Sequence, residues 1–265
     1  MTNAFEKHLH SHAPIWVHSF SFDDAESRTA AVNAISSSDF GNAGVALDDL
    51  TRSPLPGMAN PVVGGLSKRI MDLVIATTAL ALAAPVMILV ALLIRTTMGG
   101  PTVFSHTRVG RGGKPFRCYK FRSMVCNADE VLKACIETNP EIRLEWEKTH
   151  KIRNDPRVTR LGRMLRKSSL DELPQLFNVI RGDMSCVGPR PVVKDELPQY
   201  GDHLGEYLQG RPGLTGLWQV SGRSSVDYAS RVALDSQYVR NWSIWLDVSI
   251  LFKTVFAVMR FDRAS

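Results

Sequence analysis

The chain has 265 residues, of which 44% are hydrophobic, and it carries a formal net charge of +6. A chain of this length forms one or two domains. Its four cysteines lack the CxxC spacing of zinc sites and redox motifs, so we expect reduced, structural thiols rather than a metal centre or a disulfide framework. The positive charge is concentrated beside one apolar segment and in residues 151–167. Such a surface suits anionic lipid headgroups, phosphorylated substrates or nucleic acid.

The N-terminal stretch differs from the rest of the chain. Residues 1–62 are rich in Ala, Ser, Asp, Asn and His, show neither a strand period nor a helix period, and end in a segment that contains Pro and Gly. This composition predicts a disordered tail and linker. The stretch also lacks a basic segment followed by an apolar core, so the sequence predicts no secretory signal.

An uncharged run from Leu73 to Ile94 is the strongly apolar segment of the chain. About 20 apolar residues suffice to cross a bilayer. Both flanks of the run are basic, however, whereas a spanning helix is expected to have its basic flank on the cytoplasmic side. Pro85, which follows Ala84 in the run, removes one helix hydrogen bond and favours a bend. We therefore predict that residues 63–98 form a proline-broken, re-entrant membrane helix with both flanks on the cytoplasmic face. An ordinary proline-kinked span is the alternative.

Residues 99–265 suffice for one compact cytosolic domain with its own core. Short alternating stretches at Thr102–His106 and Phe116–Phe121 flank a glycine-rich turn and predict a β-hairpin that lies on the lipid headgroups. The rest of the domain is predicted to be mainly helical, so the fold class is α+β. The predicted helices are Asn127–Lys148 with an interruption near Pro140, Arg157–Arg166, Pro174–Ile180, Ser225–Val239 and Trp242–Met259.

The last of these helices is amphipathic. Its apolar face carries large aromatic side chains, and a basic residue accompanies them. Aromatic rings and long basic side chains of this kind are typical of helices that lie in the membrane interface. We therefore expect an interfacial helix, with these aromatic residues facing the lipid: Trp242, Trp245, Phe252 and Phe256.

The carboxylate pair Asp171–Glu172 points to chemistry. Pro174 follows closely, and because proline is favoured in the first turn of a helix, the pair is expected at a helix N-terminus, which favours bound anions. Arginines precede and follow the pair. A carboxylate among arginines suits phosphoryl transfer, in which it acts as a nucleophile or holds magnesium. The structural alternative is a capping box, in which Ser169 caps the helix and Glu172 reaches back to it.

Three segments carry a resemblance to a known family: KFRSM (Lys120–Met124), RKSSLDELPQLFNVIRGDMSCVGPRP (Arg166–Pro191) and RPGLTGLWQVSGR (Arg211–Arg223). Together with the proline-containing membrane segment, and in this order, they resemble the bacterial sugar transferase family. These are monotopic phosphoglycosyl transferases that begin exopolysaccharide, capsule and O-antigen synthesis. The resemblance runs from about Ser67 to the C-terminus and is nearest to the small, exopolysaccharide-type members. One departure is Ala84–Pro85, where the family commonly has Ser-Pro.

The resemblance implies a reaction and roles for individual residues. Asp171 would attack the β-phosphorus of a UDP-hexose and release UMP, and undecaprenyl phosphate would then accept the hexose 1-phosphate from the aspartate. Mg2+ would bind Asp171 and Glu172, and Glu172 would also orient the nucleophile or activate the acceptor. The other implied residues are Arg166, Arg190 and Arg223 near the donor phosphates, with Lys120 and Arg122 at the interface or at the entrance for the polyprenyl phosphate.

The implied location is the inner, cytoplasmic membrane, with the catalytic domain on the cytoplasmic face. The expected partners are the UDP-sugar, undecaprenyl phosphate and the membrane; a homodimer or glycan-assembly partners stay open, and nucleic acid is not expected. Two other interpretations are a membrane-tethered nucleic-acid-binding module that uses residues 157–167 and a non-catalytic scaffold for polysaccharide assembly. The sequence does not specify the donor sugar.

Overall fold

The computed structural model describes residues 63–149, 152–222 and 226–259. The predictions for the tail at 1–62 and for Arg223 concern residues outside these ranges. Helices predominate in the described part, which also contains two pairs of short strands. In chain order the elements are α1 (Gly65–Thr97), β1 (Val103–Val109), β2 (Pro115–Phe121), α2 (Ala128–Thr138), α3 (Pro140–Thr149), α4 (Arg160–Lys167), α5 (Gln175–Arg181), β3 (Ser185–Val187), α6 (Leu204–Gln209), β4 (Gly213–Thr215), α7 (Leu217–Val220), α8 (Tyr228–Arg240) and α9 (Ile244–Met259). Segments of 3-10 helix occur at Arg111–Gly113, Leu170–Glu172 and Lys194–His203.

The predicted β-hairpin is confirmed. β1 and β2 pair in antiparallel fashion, and Val109 lies opposite Pro115 at the turn. In the turn, Gly112 and Gly113 have φ values of 65° and 79°, which side-chain-bearing residues rarely adopt. The first strand is longer than the predicted stretch, which ends at His106, because pairing with β2 continues to Val109 before the glycine-rich turn.

The apolar segment forms α1, a helix of 33 residues that is long and apolar enough to cross a membrane. Its backbone stays helical through Ala84 and Pro85, so the proline removes a hydrogen bond without ending the helix. The helix is buried against the domain in its first part, at Lys68, Asp72 and Ala76, and again in its last part, at Met87, Val90 and Ile94, whereas residues 77–86 between them are exposed or partly buried. The opposite face is apolar and exposed, and it includes Leu66, Ile70, Val74, Leu82, Ile88, Leu89 and Leu92.

Among the described residues, two apolar clusters of the core include α1. The first lies around the start of the helix and joins it to α5, β3, α8 and α9; among its buried members are Ala76, Leu176, Val179, Val187, Tyr238 and Ile250. The second lies around the end of the helix, where Met87, Val90 and Ile94 pack against Phe121 and Leu165. The domain is therefore built along one side of the apolar helix.

The short parallel strands β3 and β4 lie side by side, with Ser185 opposite Gly213 and Val187 opposite Thr215. Their backbones approach closely beyond the pairing. A Cβ atom on Gly213 would lie 2.2 Å from the backbone nitrogen of Gly188. Glycine is required there because no side chain fits between the two segments.

The remaining helix predictions are confirmed, with ends displaced by a few residues. The helix interrupted at Pro140 is the pair α2 and α3, and no residue of α2 is buried. On α9, Trp245, Phe252 and Phe256 are exposed, as expected of an outward-facing apolar surface. Trp242 differs: it precedes α9, is partly buried, and its indole N–H donates to Asp247.

A buried ion pair that sequence reasoning missed attaches α1 to α9. The Lys68 Nζ atom lies 2.6 Å from Asp247 Oδ2, and both side chains are almost fully buried. The Tyr238 hydroxyl and the Trp242 indole also donate to this carboxylate, at 2.7 and 3.0 Å. The carboxylate therefore has three donors, as a buried charge requires.

The next turn of α1 is tied to the elements that lead to the carboxylate pair. The Arg69 guanidinium donates to the carbonyl oxygens of Val179–Ile180, at 2.6 and 2.8 Å, at the C-terminal end of α5. The Asp72 carboxylate accepts from the Ser185 hydroxyl and from the Cys186 N–H, at 2.9 and 3.0 Å. The membrane helix therefore fixes both α5 and β3.

Replacement of Lys68 by Met should lower the free energy of unfolding by about 3–5 kcal/mol, because it leaves the buried Asp247 carboxylate without its counter-charge. Thermal unfolding in detergent micelles measures this, with Lys133→Met on the exposed face of α2 as the matched control. Equal unfolding temperatures for the two variants would contradict the importance of the pair.

Candidate active site

The carboxylate pair lies on a 3-10 turn between α4 and α5, so the prediction that it precedes a helix is confirmed. Leu170–Glu172 forms the turn, and Pro174 caps the start of α5. Ser169, which precedes the turn, has a φ of 57°; it is the non-glycine residue with positive φ in the described ranges. Asp171 is 7% exposed. The turn therefore combines a buried carboxylate with a strained backbone, a combination typical of functional sites.

The capping-box interpretation is wrong. The Ser169 side chain makes no capping hydrogen bond, and its left-handed backbone is not that of a capping residue. Glu172 instead accepts a hydrogen bond from Lys120 on β2, with 2.6 Å between Oε1 and Nζ. Both side chains are about one-third exposed. The Lys120–Glu172 ion pair is therefore accessible to a ligand, and the Glu172 side chain is not bound to the helix backbone.

The Asp171 carboxyl is held in a poorly hydrated place among charges. Burial raises the pKa of Asp171 above the ordinary value, and the negative charge of Glu172 raises it further. The positive charges of Lys120 and Arg166 lower this pKa. A carboxylate with little bound water has less solvent to lose before it attacks an electrophile. Lys120 and Arg166 act against the effect of burial and favour the ionised form, which is the form that acts as a nucleophile.

Arg166 is positioned by Ser123, a residue that sequence reasoning did not single out. The Arg166 Nε atom donates to the Ser123 hydroxyl at 2.8 Å. The Ser123 carbonyl accepts from the backbone N–H of Thr159, directly before α4. A Cβ atom on Gly162 would lie 1.9 Å from this same carbonyl, so only glycine lets α4 pack here. The KFRSM segment therefore fixes the helix that carries Arg166.

Arg122 lies in a different environment from Lys120. Its side chain is buried, and its guanidinium donates to the Gly99 carbonyl and to the Cys126 sulfur. These contacts tie the segment after α1 to the segment after β2. Contact of Arg122 with a substrate stays a prediction.

Arg190 lies beyond the end of β3. Its guanidinium carbon is 5.5 Å from the centre of the Trp218 ring, and its backbone N–H donates to the buried Asp235 carboxylate at 3.1 Å. The Tyr200 hydroxyl donates to the same carboxylate at 2.9 Å. Sequence reasoning identified Arg190 but not its neighbours, because Trp218 and Asp235 lie on other elements.

A metal ion would have few protein ligands here. No group of three or more His, Cys, Asp or Glu side chains suited to a metal occurs among the described residues. Mg2+ commonly binds through one or two carboxylates together with phosphate oxygens and water. Asp171 and Glu172 fit that pattern, so Mg2+ at this pair stays a prediction that depends on a phosphorylated substrate.

A cleft of about 490 Å³ opens beside the end of α1. The segment after β2 and the start of α4 form its other walls. Its lining is mostly apolar with a basic edge, and it includes Met98, Val125, Cys126, Thr159, Arg160 and Leu161. Cys126 also contacts Arg122, so the cleft adjoins the KFRSM segment.

The sequence profile of the family described as "Bacterial sugar transferase" matches residues 63–261, which include α1 and every strand and helix after it. The chain belongs to the bacterial sugar transferase family. The match begins at the first described residue, so in this sugar transferase the membrane helix and the domain that carries Asp171 are parts of one family unit.

Two of the three relatives reported below are named as sugar-phosphate transferases that use undecaprenyl phosphate, and the third is named for exopolysaccharide production. The sugar transferase is 56% identical over 197 residues to an undecaprenyl-phosphate galactose phosphotransferase of Salmonella typhimurium. It is 52% identical over 202 residues to the exopolysaccharide production protein ExoY of Rhizobium meliloti. It is 42% identical over 219 residues to a UDP-glucose:undecaprenyl-phosphate glucose-1-phosphate transferase of Caulobacter vibrioides.

These relatives differ in how much of their length is matched. The aligned part is 74%, 76% and 80% of this sugar transferase, respectively. It is 41% of the Salmonella protein but 89% of the Rhizobium protein and 75% of the Caulobacter protein. The aligned part is therefore most of this chain in each case but less than half of the Salmonella protein.

The Asp235 carboxyl makes stability depend on pH. Burial raises its pKa to about 7, while the Arg190 N–H, the Tyr200 hydroxyl and the Arg190 guanidinium oppose this. Between roughly pH 4 and 7 the folded protein keeps a proton that the unfolded chain has lost. The resulting stabilisation is complete below about pH 4 and is lost as pH rises through 7.

Asp235→Asn should remove this pH-dependent contribution to the free energy of unfolding. The unfolding temperatures of the wild type and the variant are measured from pH 5 to 8. The difference between them, wild type minus variant, should fall as pH rises and become constant above about pH 7. Parallel curves would show that Asp235 does not titrate in this range.

Proposed function

We propose that this sugar transferase moves a hexose 1-phosphate from a UDP-sugar to undecaprenyl phosphate, as the first membrane step of exopolysaccharide or other surface glycan synthesis. The observation that carries the proposal is the buried Asp171 carboxylate, flanked by Lys120 and Arg166 and free of a capping role. The names of the relatives, which include undecaprenyl-phosphate galactose phosphotransferase and UDP-galactose-lipid carrier transferase, support it.

In the first step, an Asp171 carboxylate oxygen forms a bond to the β-phosphorus of the donor. The bond between that phosphorus and the oxygen that bridges to the α-phosphate breaks, and its electron pair leaves with UMP. The hexose phosphate is then joined to Asp171 as an acyl phosphate. Lys120 and Arg166 act electrostatically on this carboxylate and would offset the negative charge that develops on the phosphoryl oxygens.

In the second step, a phosphate oxygen of undecaprenyl phosphate attacks the same phosphorus. The bond to Asp171 breaks, the carboxylate is regenerated, and the product is the lipid diphosphate hexose. A shared covalent intermediate allows the water-soluble donor and the lipid acceptor to use one site in turn. Asp171 and Glu172 would hold Mg2+, which when bound lowers the repulsion between the carboxylates and the diphosphate.

The packing of α1 supports entry into the membrane from one side. Lys68 near its start binds Asp247, and Ile94 near its end packs with Phe121 and Leu165. If the two ends of α1 lay on opposite sides of a bilayer, these two contacts would place polar surface of the domain in the hydrocarbon, at a large cost in free energy. The re-entrant arrangement, with the domain on the cytoplasmic face of the inner membrane, avoids that cost.

The cleft beside the end of α1 suits the acceptor. It opens where the apolar helix ends, and its walls combine Met98 and Leu161 with Arg160 at the edge. An isoprenoid phosphate has this same combination of a long apolar chain and an anionic head. From the cleft, α4 leads to Arg166 at its last turn, beside Asp171.

The test is UMP release by the detergent-purified protein with Mg2+ and either UDP-galactose or UDP-glucose. Without acceptor, about one UMP per active site should appear, because Asp171 is consumed once. Added undecaprenyl phosphate should convert this burst into turnover. Asp171→Asn should reduce release at least about 1,000-fold, and Glu172→Gln about 10- to 1,000-fold.

Asp129→Asn, on the exposed part of α2, is the matched control and should behave as wild type. An Asp171→Asn protein that still turns over would exclude the covalent mechanism. A protein that binds nucleic acid with steep salt dependence and releases no UMP would favour the nucleic-acid interpretation.

Ser123→Ala should reduce the rate of UMP release about 3- to 30-fold, because the Arg166 guanidinium loses the hydroxyl that orients it. Ser168→Ala is the matched control: its hydroxyl bonds only to carbonyl oxygens within α4 among the contacts of the described residues. Equal rates for the two variants would show that Ser123 does not position Arg166.

A further inference from the structure

Several buried polar atoms in one region have no hydrogen-bond partner within the described structure. They belong to what we call the orphan cluster: Arg190 Nε, Glu196 Oε2, Trp218 Nε1, the Tyr228 hydroxyl, Arg231 Nε and Asp235 Oδ1. Native proteins leave few buried polar atoms unpaired, and each one costs free energy. A concentration of them in one place indicates a missing ligand.

These residues are neighbours although they come from four segments of the chain. The guanidinium carbons of Arg190 and Arg231 lie 5.5 and 5.3 Å from the centre of the Trp218 ring. The Tyr228 ring packs edge-on against Tyr200, whose hydroxyl donates to Asp235. Arg190, Trp218, Tyr228 and Arg231 are partly exposed as residues, whereas their unpaired atoms lie just below the surface, so a ligand from solution would reach these atoms when the side chains move.

The chemistry of the cluster selects the ligand class. It offers N–H donors together with oxygen atoms of two carboxyl groups, the Glu196 carboxylate and Asp235, whose raised pKa of about 7 leaves it partly protonated near neutral pH. A phosphate has acceptors alone, so it would leave the Glu196 oxygen without a donor and would be repelled by that carboxylate. A stacked base would need the face of Trp218, where two guanidinium groups already lie. Hydroxyl groups both donate and accept, so a sugar ring satisfies both kinds of orphan atom.

The position of the cluster also suits the donor. Arg190 follows the carboxyl end of β3, and Trp218 follows that of the parallel strand β4. Ligands of parallel sheets bind beyond these ends. Only Gly182–Met184 connects α5 to β3, so the helix runs back along the strand and its start, at Asp171, lies at the same end.

We propose that the orphan cluster recognises the hydroxyl groups of the donor hexose and thereby selects the sugar. This proposal rests on the function proposed above and adds residues that choose among donors. Arg190 would connect the two parts of the site, since it belongs to the cluster and lies in the segment that resembles the family's phosphate-binding residues.

Direct binding tests the proposal without turnover. The affinities of UDP-galactose, UDP-glucose and UDP are measured by calorimetry for Asp171→Asn and for that protein with Tyr228→Phe, Trp218→Phe or Glu196→Gln added. Each added change should weaken one or both UDP-hexoses about 3- to 10-fold and should weaken UDP less, because it alters a hydrogen-bonding group that would face the sugar.

Thermal unfolding separates a binding role from a structural one. Tyr228→Phe removes a hydroxyl that has no partner, so it should raise the unfolding temperature of the free protein while it weakens UDP-hexose. Tyr207→Phe is the matched control: its hydroxyl bonds the Val109 carbonyl and the Val192 N–H, so it should lower the unfolding temperature and leave the preference for the hexoses over UDP unchanged.

Two outcomes would overturn the inference. Equal weakening of UDP and the UDP-hexoses would mean that the cluster holds the nucleotide, and no weakening by any of the three variants would mean that it binds no part of the donor. Failure of Asp171→Asn to bind any UDP-hexose more tightly than UDP, while the wild-type protein also releases no UMP, would instead count against the proposed function itself.

Discussion

The attachment of the apolar helix to the domain is the constraint on which the site depends. Lys68 binds Asp247 in the core, and one helical position further on Arg69 holds the last carbonyl groups of α5. A buried ion pair is costly unless it is fully hydrogen-bonded, so these contacts fix α1 in one orientation rather than merely adding stability. Because α5 begins four residues after Asp171, α1 and this carboxylate are parts of one packed unit. Under the proposed function, a lipid acceptor delivered along α1 would therefore arrive at a defined distance from Asp171.

The turn that carries Asp171 and the separate orphan cluster both retain features that a purely structural region would avoid. Asp171 has a raised pKa, Ser169 keeps an unfavourable backbone conformation, and the orphan cluster keeps unpaired atoms. Each of these features costs stability in the free protein. The compensation lies elsewhere, in the two apolar clusters and in close glycine contacts such as that of Gly162 with Ser123. Binding of an anionic, hydroxyl-rich substrate would remove these costs together.

Sequence reasoning predicted the features that are local in the chain. The hairpin around Gly112, the interruption at Pro140 and the carboxylate pair before Pro174 follow from turn and helix rules that involve a few adjacent residues. The contacts that determine roles are not local. Lys120 meets Glu172 across 52 positions and Lys68 meets Asp247 across 179, and no periodicity reports such a pairing. The sequence from Ser169 to Glu172 matches the capping-box pattern, but Glu172 binds Lys120 instead of the helix backbone. Ser123 lies within the KFRSM motif, but its hydrogen bond with Arg166 depends on how α4 packs and could not be predicted from the motif.

The domain has two surfaces of different character, and the proposed mechanism would use one for each substrate of Asp171. On one side, α1 presents its apolar outer face and the cleft near Met98 leads along α4 to Arg166. On the other side, the ends of β3 and β4 present Arg190 and Trp218 among buried donors and acceptors. A lipid cannot occupy the second surface without leaving its charges unpaired, and a nucleotide sugar cannot occupy the first without losing its hydration. A direct transfer would require both substrates at the phosphorus at once. A covalent phosphosugar on Asp171 removes that requirement, since the donor side can empty before the lipid side is used.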